Sequence, residues 1–171
     1  MASEQLSTSP MARPFFPAFC TASMPLSTIE EFLFKSHQYV YELSHKSMPT
    51  LVKDPLLSIM ADATESHPRV VSSPPLQIRD YPFIGKSTEE LARHCTQSQW
   101  FAILDERSER DKTVVIVEID ANNNTFHTVR TNFAATQFVL CSLYDGPIGI
   151  GELQDQAASQ GGVHSLPIQF I

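Results

Sequence analysis

Basic charge, paired cysteine and long apolar runs are all scarce in this chain of 171 residues. Lys and Arg number 12 against 19 Asp and Glu, a formal net charge of −7. Sequence-independent nucleic-acid binding needs a basic footprint, so no nucleic-acid partner is expected. The three cysteines, Cys20, Cys95 and Cys141, are odd in number and far apart. They make neither a disulfide framework nor a CxxC pair, which predicts a reducing, cytoplasmic setting with Cys95 and Cys141 as buried thiols. No apolar run approaches the roughly 20 residues of a membrane span. The amino end has no basic segment followed by an apolar block, which predicts no secretory signal.

Motifs of known chemistry are missing too. The six histidines show no HxH or HxxxH spacing and no grouping with cysteine, so no metal site is expected. There is no serine nucleophile elbow. The run Gly146-Pro147-Ile148-Gly149-Ile150-Gly151 lacks the spacing of a dinucleotide loop and follows a predicted helix rather than a strand. An enzyme built on this chain works without phosphate loop, metal cluster or acyl-enzyme, and no cofactor is expected.

What is present suits one domain with a sizeable core. The stretch 100–130, WFAILDERSERDKTVVIVEIDANNNTFHTVR, holds the longest β-branched run and reads as the spine of a small mixed sheet. Strands are predicted over Trp100–Leu104, Thr113–Asp120 and 125–131, the last two joined by Ala121-Asn122-Asn123-Asn124, residues tolerant of positive φ. Apolar residues fall on both faces of the middle strand, as in an interior strand covered on two sides. The charged connection 106–112 must be exposed.

Before the spine, residues 1–25 read as disordered or loosely docked, with the clump Phe15-Phe16-Pro17-Ala18-Phe19 either lying over an apolar groove or simply part of the tail. An additional N-terminal helix occupies 26–48. Ser27-Thr28-Ile29-Glu30 reads as its capping box, and Ile29, Phe32, Leu33, Ser36, Val40 and Leu43 form one face. His37 and His45 read as surface residues of that helix. A single α/β domain then fills 50–171. It opens with a short strand at 50–53 and a helix at 55–64 begun by Asp54 and Pro55. A proline-rich loop at 65–75 leads to a strand at 76–80. A second capping box, Ser87-Thr88-Glu89-Glu90, starts a helix running to about Thr96. After the spine, a helix from Asn132 carries Phe133, Gln137, Leu140 and Tyr144 and stops at Asp145-Gly146-Pro147. A short acidic helix at 150–158 ends at Gly161-Gly162, and the tail HSLPIQFI is apolar enough to pack as an edge. The fold class is α/β, with α+β as the alternative: one mixed sheet of about five strands flanked by helices.

LVKDP, LQIRDYPFIGKSTEELA, WFAILDER followed by TVVIVEI, TFHTVRTNF and the closing QGGV give residues 50–164 a likeness of their own. They resemble a small α/β domain family of unknown function found in actinobacterial and fungal proteins. Residues 1–49 lie outside the likeness. Where the family has an Asn-rich segment after its penultimate helix, this chain has DGPIGIG. The resemblance implies an α/β fold and no reaction.

Candidate chemistry gathers on the spine. A hairpin turning about Asn122-Asn123 sets Glu118 opposite His127, Val117 opposite Thr128 and Val115 opposite Arg130. A carboxylate beside an imidazole raises its pKa and holds one tautomer, as a general base needs; the alternative is a cross-strand pair that only stabilises the hairpin. Asp105 and Arg107 follow directly on a strand, where α/β sheets present ligand-facing residues, or else form an exposed turn cluster. Arg130, among apolar neighbours, needs a carboxylate such as Asp105 or Glu118, or a ligand.

Two functions fit. The first is a cofactor-independent isomerase, lyase or cyclase, pericyclic closure included, in a fungal-type biosynthetic pathway. It acts on an apolar small molecule, with His127, Glu118 and Arg130 as catalytic groups and Trp100, Tyr144, Asp105 and Arg107 binding substrate. The second is a non-catalytic interaction protein whose apolar flanks dock a partner or form a homodimer. An enclosed pocket with convergent polar groups favours the first, an exposed apolar patch the second.

Overall fold

The computed structural model describes residues 15–50, 53–78 and 80–166. One five-stranded sheet organises them: β1 (Phe16–Cys20), β2 (Leu57–Ile59), β3 (Trp100–Leu104), β4 (Thr113–Asp120) and β5 (Thr125–Asn132). The spatial order is β2-β1-β3-β4-β5. β1 runs parallel to both neighbours, and β3, β4 and β5 are antiparallel. The helices are α1 (Leu26–Lys46), α2 (Thr88–Ala92), α3 (Glu106–Asp111), α4 (Thr136–Asp145) and α5 (Ile150–Ser159). This is the small mixed-sheet α/β architecture expected, N-terminal helix included. Among the described residues no helix is long and apolar enough to cross a membrane.

The aromatic clump is not a tail. Phe16–Cys20 is an inner strand, buried at all five positions, so the domain takes in residues well before 50. Alternation sends Phe16, Ala18 and Cys20 to the core layer of α1, α4 and α5, and Phe19 to the opposite layer with Met60, Phe83, Leu91, Phe101 and Val117. A proline inside an inner strand removes a ladder donor. The register Ala18↔Ala102 makes the carbonyl of Trp100 the acceptor that an amide at position 17 would have met. The Ser98 hydroxyl donates to that carbonyl instead, at 2.6 Å. Pro17 is tolerated because a side chain supplies what its backbone cannot.

The six apolar-face positions predicted on α1 are all buried, but its start differs. Pro25 is the N-cap, with no side-chain capping bond. Glu30 instead accepts from the amide of Leu76 at 2.8 Å, tying the Pro-rich loop to the helix. The segment expected as a helix at 55–64 contains β2. Pro55 there precedes a strand whose backbone is held from outside: buried Gln137 on α4 accepts from Leu56 N at 3.0 Å and donates to Asp54 O at 2.8 Å. A polar residue on a helix stripe thus serves a neighbouring strand. Residues 76–78 and 80 form no strand, α2 ends earlier than expected, and the charged connection after β3 is helical as α3. The middle of the strand expected at 50–53, Arg79 in the one expected at 76–80, residues 1–14 and residues 167–171 of the tail lie outside the described residues.

Both sheet edges are covered by loop backbone or side chains, which blocks edge pairing. Ser72 donates its amide to Leu57 O and accepts from Ile59 N along β2. At β5, His164 forms a parallel bridge with Thr131, its amide donating to Arg130 O at 2.7 Å. His164 is 3 % exposed; its Nε2 lies 3.1 Å from Gln156 Oε1 and its Nδ1 has no partner among the described residues.

Two outcomes test this account. Ser98→Ala should cost about 1–2 kcal/mol in chemical denaturation, and clearly less in a Pro17→Ala background, where an amide is restored to the Trp100 carbonyl. Burial holds the His164 pKa below its ordinary value. The unfolded chain therefore takes up this proton first as pH falls through about 6.5, and native stability declines below that pH. In melts at pH 7.5 and 5.5, His164→Gln should lose less stability on acidification than the natural chain.

Candidate functional site

The register predicted for the hairpin holds over its whole length: Glu118↔His127, Val117↔Thr128 and Val115↔Arg130 are Cα partners. Alternation then divides the candidates. Trp100, Glu118 and His127 project to the layer of α1, α4 and α5, while Thr113, Val115 and Arg130 project to the opposite layer. His127, Glu118 and Arg130 therefore do not converge. The Glu118 carboxylate is taken by the indole of Trp100, whose Nε1 donates to Oε1 at 3.0 Å. Tyr144 packs its ring edge-on against Trp100, centroids 6.1 Å apart. His127 is exposed, and its Nε2 lies 4.0 Å from Asp120 Oδ2. Trp100, Tyr144 and Glu118 meet as a packed wall, with His127 at its rim.

On the other layer, Arg130 finds the partner its burial demands. Its side chain is 13 % exposed and pairs with the Asp105 carboxylate; Nη1 donates to Asp105 Oδ1 at 3.2 Å and to Thr113 Oγ1 at 3.0 Å. Asp105 also caps α3: it accepts from Arg107 N and from the Ser108 hydroxyl, while its own amide donates to Ser108 Oγ at 2.9 Å. Burial pushes the Asp105 carboxyl up, but Arg130 and the capping donors outweigh it and hold the pKa below its ordinary value. Arg107 is exposed and pairs with Asp111 at 2.9 Å, away from Arg130. This cluster joins three elements and has its hydrogen bonds filled from within.

A concavity lined by several titratable side chains lies elsewhere. The parallel strands β1 and β2 end at Cys20 and Ile59, and the segment beyond β2, with the turn and helix that precede β3, frames a basin of about 200 Å³ lined by Ala63, Pro82, Phe83, Lys86, Glu90, Arg93 and His94. Ligands of open α/β sheets bind outside the carboxyl ends of the strands. Local chemistry builds the wall. Gly85, at φ +72°, turns the chain, and its amide donates to Thr21 O at 3.0 Å, fixing the loop to the end of β1. The predicted Ser87–Glu90 capping box is formed and starts α2. Glu90 accepts from Ser87 N at 2.9 Å and from Lys86 Nζ at 3.0 Å, contacts that lower its pKa.

His94 closes the basin. Its Nδ1 lies 2.7 Å from the carbonyl of Glu65, which can only accept, so Nδ1 carries the proton. In the neutral ring the lone pair is then on Nε2, which meets no partner among the described residues. Phe83 packs edge-on at 5.0 Å, and Phe19 of β1 lies 6.4 Å away, holding the ring plane. A carbonyl on one ring nitrogen fixes the tautomer and leaves the other nitrogen able to accept a proton. Arg93 is exposed and also borders an adjoining depression of about 610 Å³ lined with Glu89, Ala92, Ile119, Asn124 and Phe126. Sequence reading passed over His94 because its fixing partner is a backbone carbonyl 29 residues away. The one local signal was the capped helix that ends two residues before it.

Among the described residues no three His, Cys, Asp or Glu side chains group as metal ligands. All three cysteines are buried, and burial pushes the Cys20 and Cys95 thiols up to about 12, which leaves them un-ionised. Comparison with family models, with curated proteins and with solved structures returned no match.

The Asp105–Arg130 pair has a stability signature. Arg130→Met and Asp105→Asn should each cost about 2 kcal/mol, and the double variant little more than either alone, as a denaturation cycle would read. Because the Asp105 pKa is lowered by folding, its contribution is present above its unfolded value and is lost as pH falls through the folded one.

Proposed function

We propose that the chain is a cofactor-independent small-molecule enzyme, an isomerase or lyase, that uses His94 as its base in the basin beyond β1 and β2. The observation that carries this reading is the Nδ1–carbonyl bond of His94 at 2.7 Å in a residue that lines the basin, with Nε2 unpaired among the described residues. Nε2 takes a proton from a carbon next to a substrate carbonyl or carboxylate. Charge builds on the substrate oxygen, where the cations Arg93 and Lys86 at the rim oppose it. Return of the proton to another carbon gives isomerisation; loss of a neighbouring leaving group gives elimination. Phe83, Pro82 and Ala63 offer an apolar floor, in keeping with a substrate whose body is hydrocarbon.

Size bears on the substrate. The basin holds about 200 Å³, below the roughly 300–1,000 Å³ that drug-sized ligands occupy, so alone it suits a fragment-sized molecule. A longer substrate would continue past Arg93 into the adjoining depression. Proton transfer is favoured over pericyclic closure because the feature on offer is an oriented base. The Glu118–His127 pair, engaged with Trp100 and Asp120, serves the hairpin in this reading.

Small-molecule profiling of cells lacking the chain, then re-supplied with variants, tests the proposal. A precursor should accumulate, the natural chain and the Glu118→Gln/His127→Ala double variant should clear it, and His94→Gln should fail by about a hundredfold in rate. An unchanged profile, or full activity in folded His94→Gln, would remove the basin as a catalytic site.

A further inference from the structure

α1 spans 21 residues and buries Ile29, Phe32, Leu33, Val40 and Leu43, the first three in the core shared with α4 and the sheet. Its outer side is unusually apolar for a solvated helix. Phe34 is 62 % exposed, Tyr41 49 % and, just past the helix, Met48 41 %; they recur every seven residues and are three of the five large apolar side chains exposed among the described residues. Beside Phe34 a shallow groove of about 200 Å³ runs along Leu33, His37, Pro55, Leu57 and Pro74.

A bare stripe does not say what covers it, but the charges beside it do. At about 100° per residue, Glu31, Lys35, Glu42 and Lys46 all fall on one flank of the line through Phe34, Gln38 and Tyr41. We propose that this face binds the same face of a second copy, α1 against α1 in antiparallel, across a two-fold axis between Gln38 and Tyr39. One axis position sets Lys35 opposite the partner's Glu42 and Glu31 opposite the partner's Lys46, and symmetry repeats both pairs. Antiparallel helices bring like flanks together, which is the arrangement in which one flank bearing both signs complements itself. In a parallel pair the same flank would meet the opposite one, where His37 and Met48 lie. On the same axis Phe34 falls level with the partner's residue 43, between its Tyr41 and His45, and projects beside the groove. Within one copy Lys35 already bonds Glu31 at 2.6 Å, Lys112 bonds it at 2.9 Å and Gln38 donates to Glu42 at 2.9 Å, and the pairs across the axis join these into one network.

Charge exchange tests the geometry on the full chain by analytical ultracentrifugation. The natural chain should dimerise at micromolar concentration. Glu31→Lys/Lys35→Glu and Glu42→Lys/Lys46→Glu each oppose like charges across the axis, and each should weaken self-association at least about tenfold. Mixed in equal amounts, the two variants recover all four complementary pairs and should associate within about threefold of the natural affinity. Because Glu31→Lys also sets a lysine beside Lys112, circular dichroism must show the variants folded; Phe34→Asp, at a side chain 62 % exposed, supplies an independent loss of the dimer. A natural chain that stays monomeric at a hundred micromolar, or folded variants that self-associate like it, or a mixture that does not recover, would each overturn the proposal.

Discussion

The structure depends on burying one short strand on both faces and both edges. β1 lies between β2 and β3, and its five residues are all shut off from water. Such a strand can keep no backbone polar group unpaired, yet it includes Pro17. The Ser98 hydroxyl on the Trp100 carbonyl resolves the conflict, and so fixes the residues that enter β3. From β1 the two layers follow: Phe16 and Ala18 demand the helices α1 and α4 on one side, and Phe19 demands Phe83 and α2 on the other. The basin exists because the second of these layers is built from loops and one short helix, which leave a gap at the carboxyl ends of the parallel strands.

What was legible in the residues was local. β3, β4 and β5 are joined in series by short connections, so each strand's partner is its neighbour in sequence, and the register could be read from the turn at Asn122-Asn123. The α1 face and the Ser87 capping box rest on contacts within a few residues and were equally readable. β1 and β2 were not. Parallel strands pair across long separations, and nothing near Phe16 or Leu57 announces the partner. Pro17 and Pro55 are punctuation in a local reading, whereas distant groups, Ser98 for one and Gln137 for the other, make them acceptable in or beside strands.

The same distinction governs the candidate site. The cross-strand facing of Glu118 and His127 was a matter of register and is present, but register does not say which neighbour a carboxylate bonds. Trp100, opposite Glu118 on the other side of β4, supplies an indole donor at 3.0 Å, and a buried-edge indole seeks an acceptor. Arg130 could have been kept apart from the pair by parity alone, since successive residues of a strand face opposite layers. Its need for an acid was correctly read, and Asp105 meets it. His94 was out of reach because its tautomer is set by the carbonyl of Glu65, in a loop placed only by the parallel half of the sheet.

The two surfaces with unassigned chemistry lie on opposite sides of this sheet. α1 covers the layer of Phe16 and Ala18; the basin opens in the layer of Phe19 and Phe83. Pairing of two copies through α1 would therefore leave both basins open to solvent and facing away from each other. It would also clamp the helix that holds the Pro-rich loop through Glu30 and Leu76, a loop that continues into the Tyr81–Gly85 turn at the basin wall. Tyr81 donates to Met24 O at 3.1 Å, just ahead of α1, so the wall is anchored to the start of that helix as well as to the end of β1. Rigidity gained at α1 by such pairing would reach the basin wall through contacts that already exist within one chain.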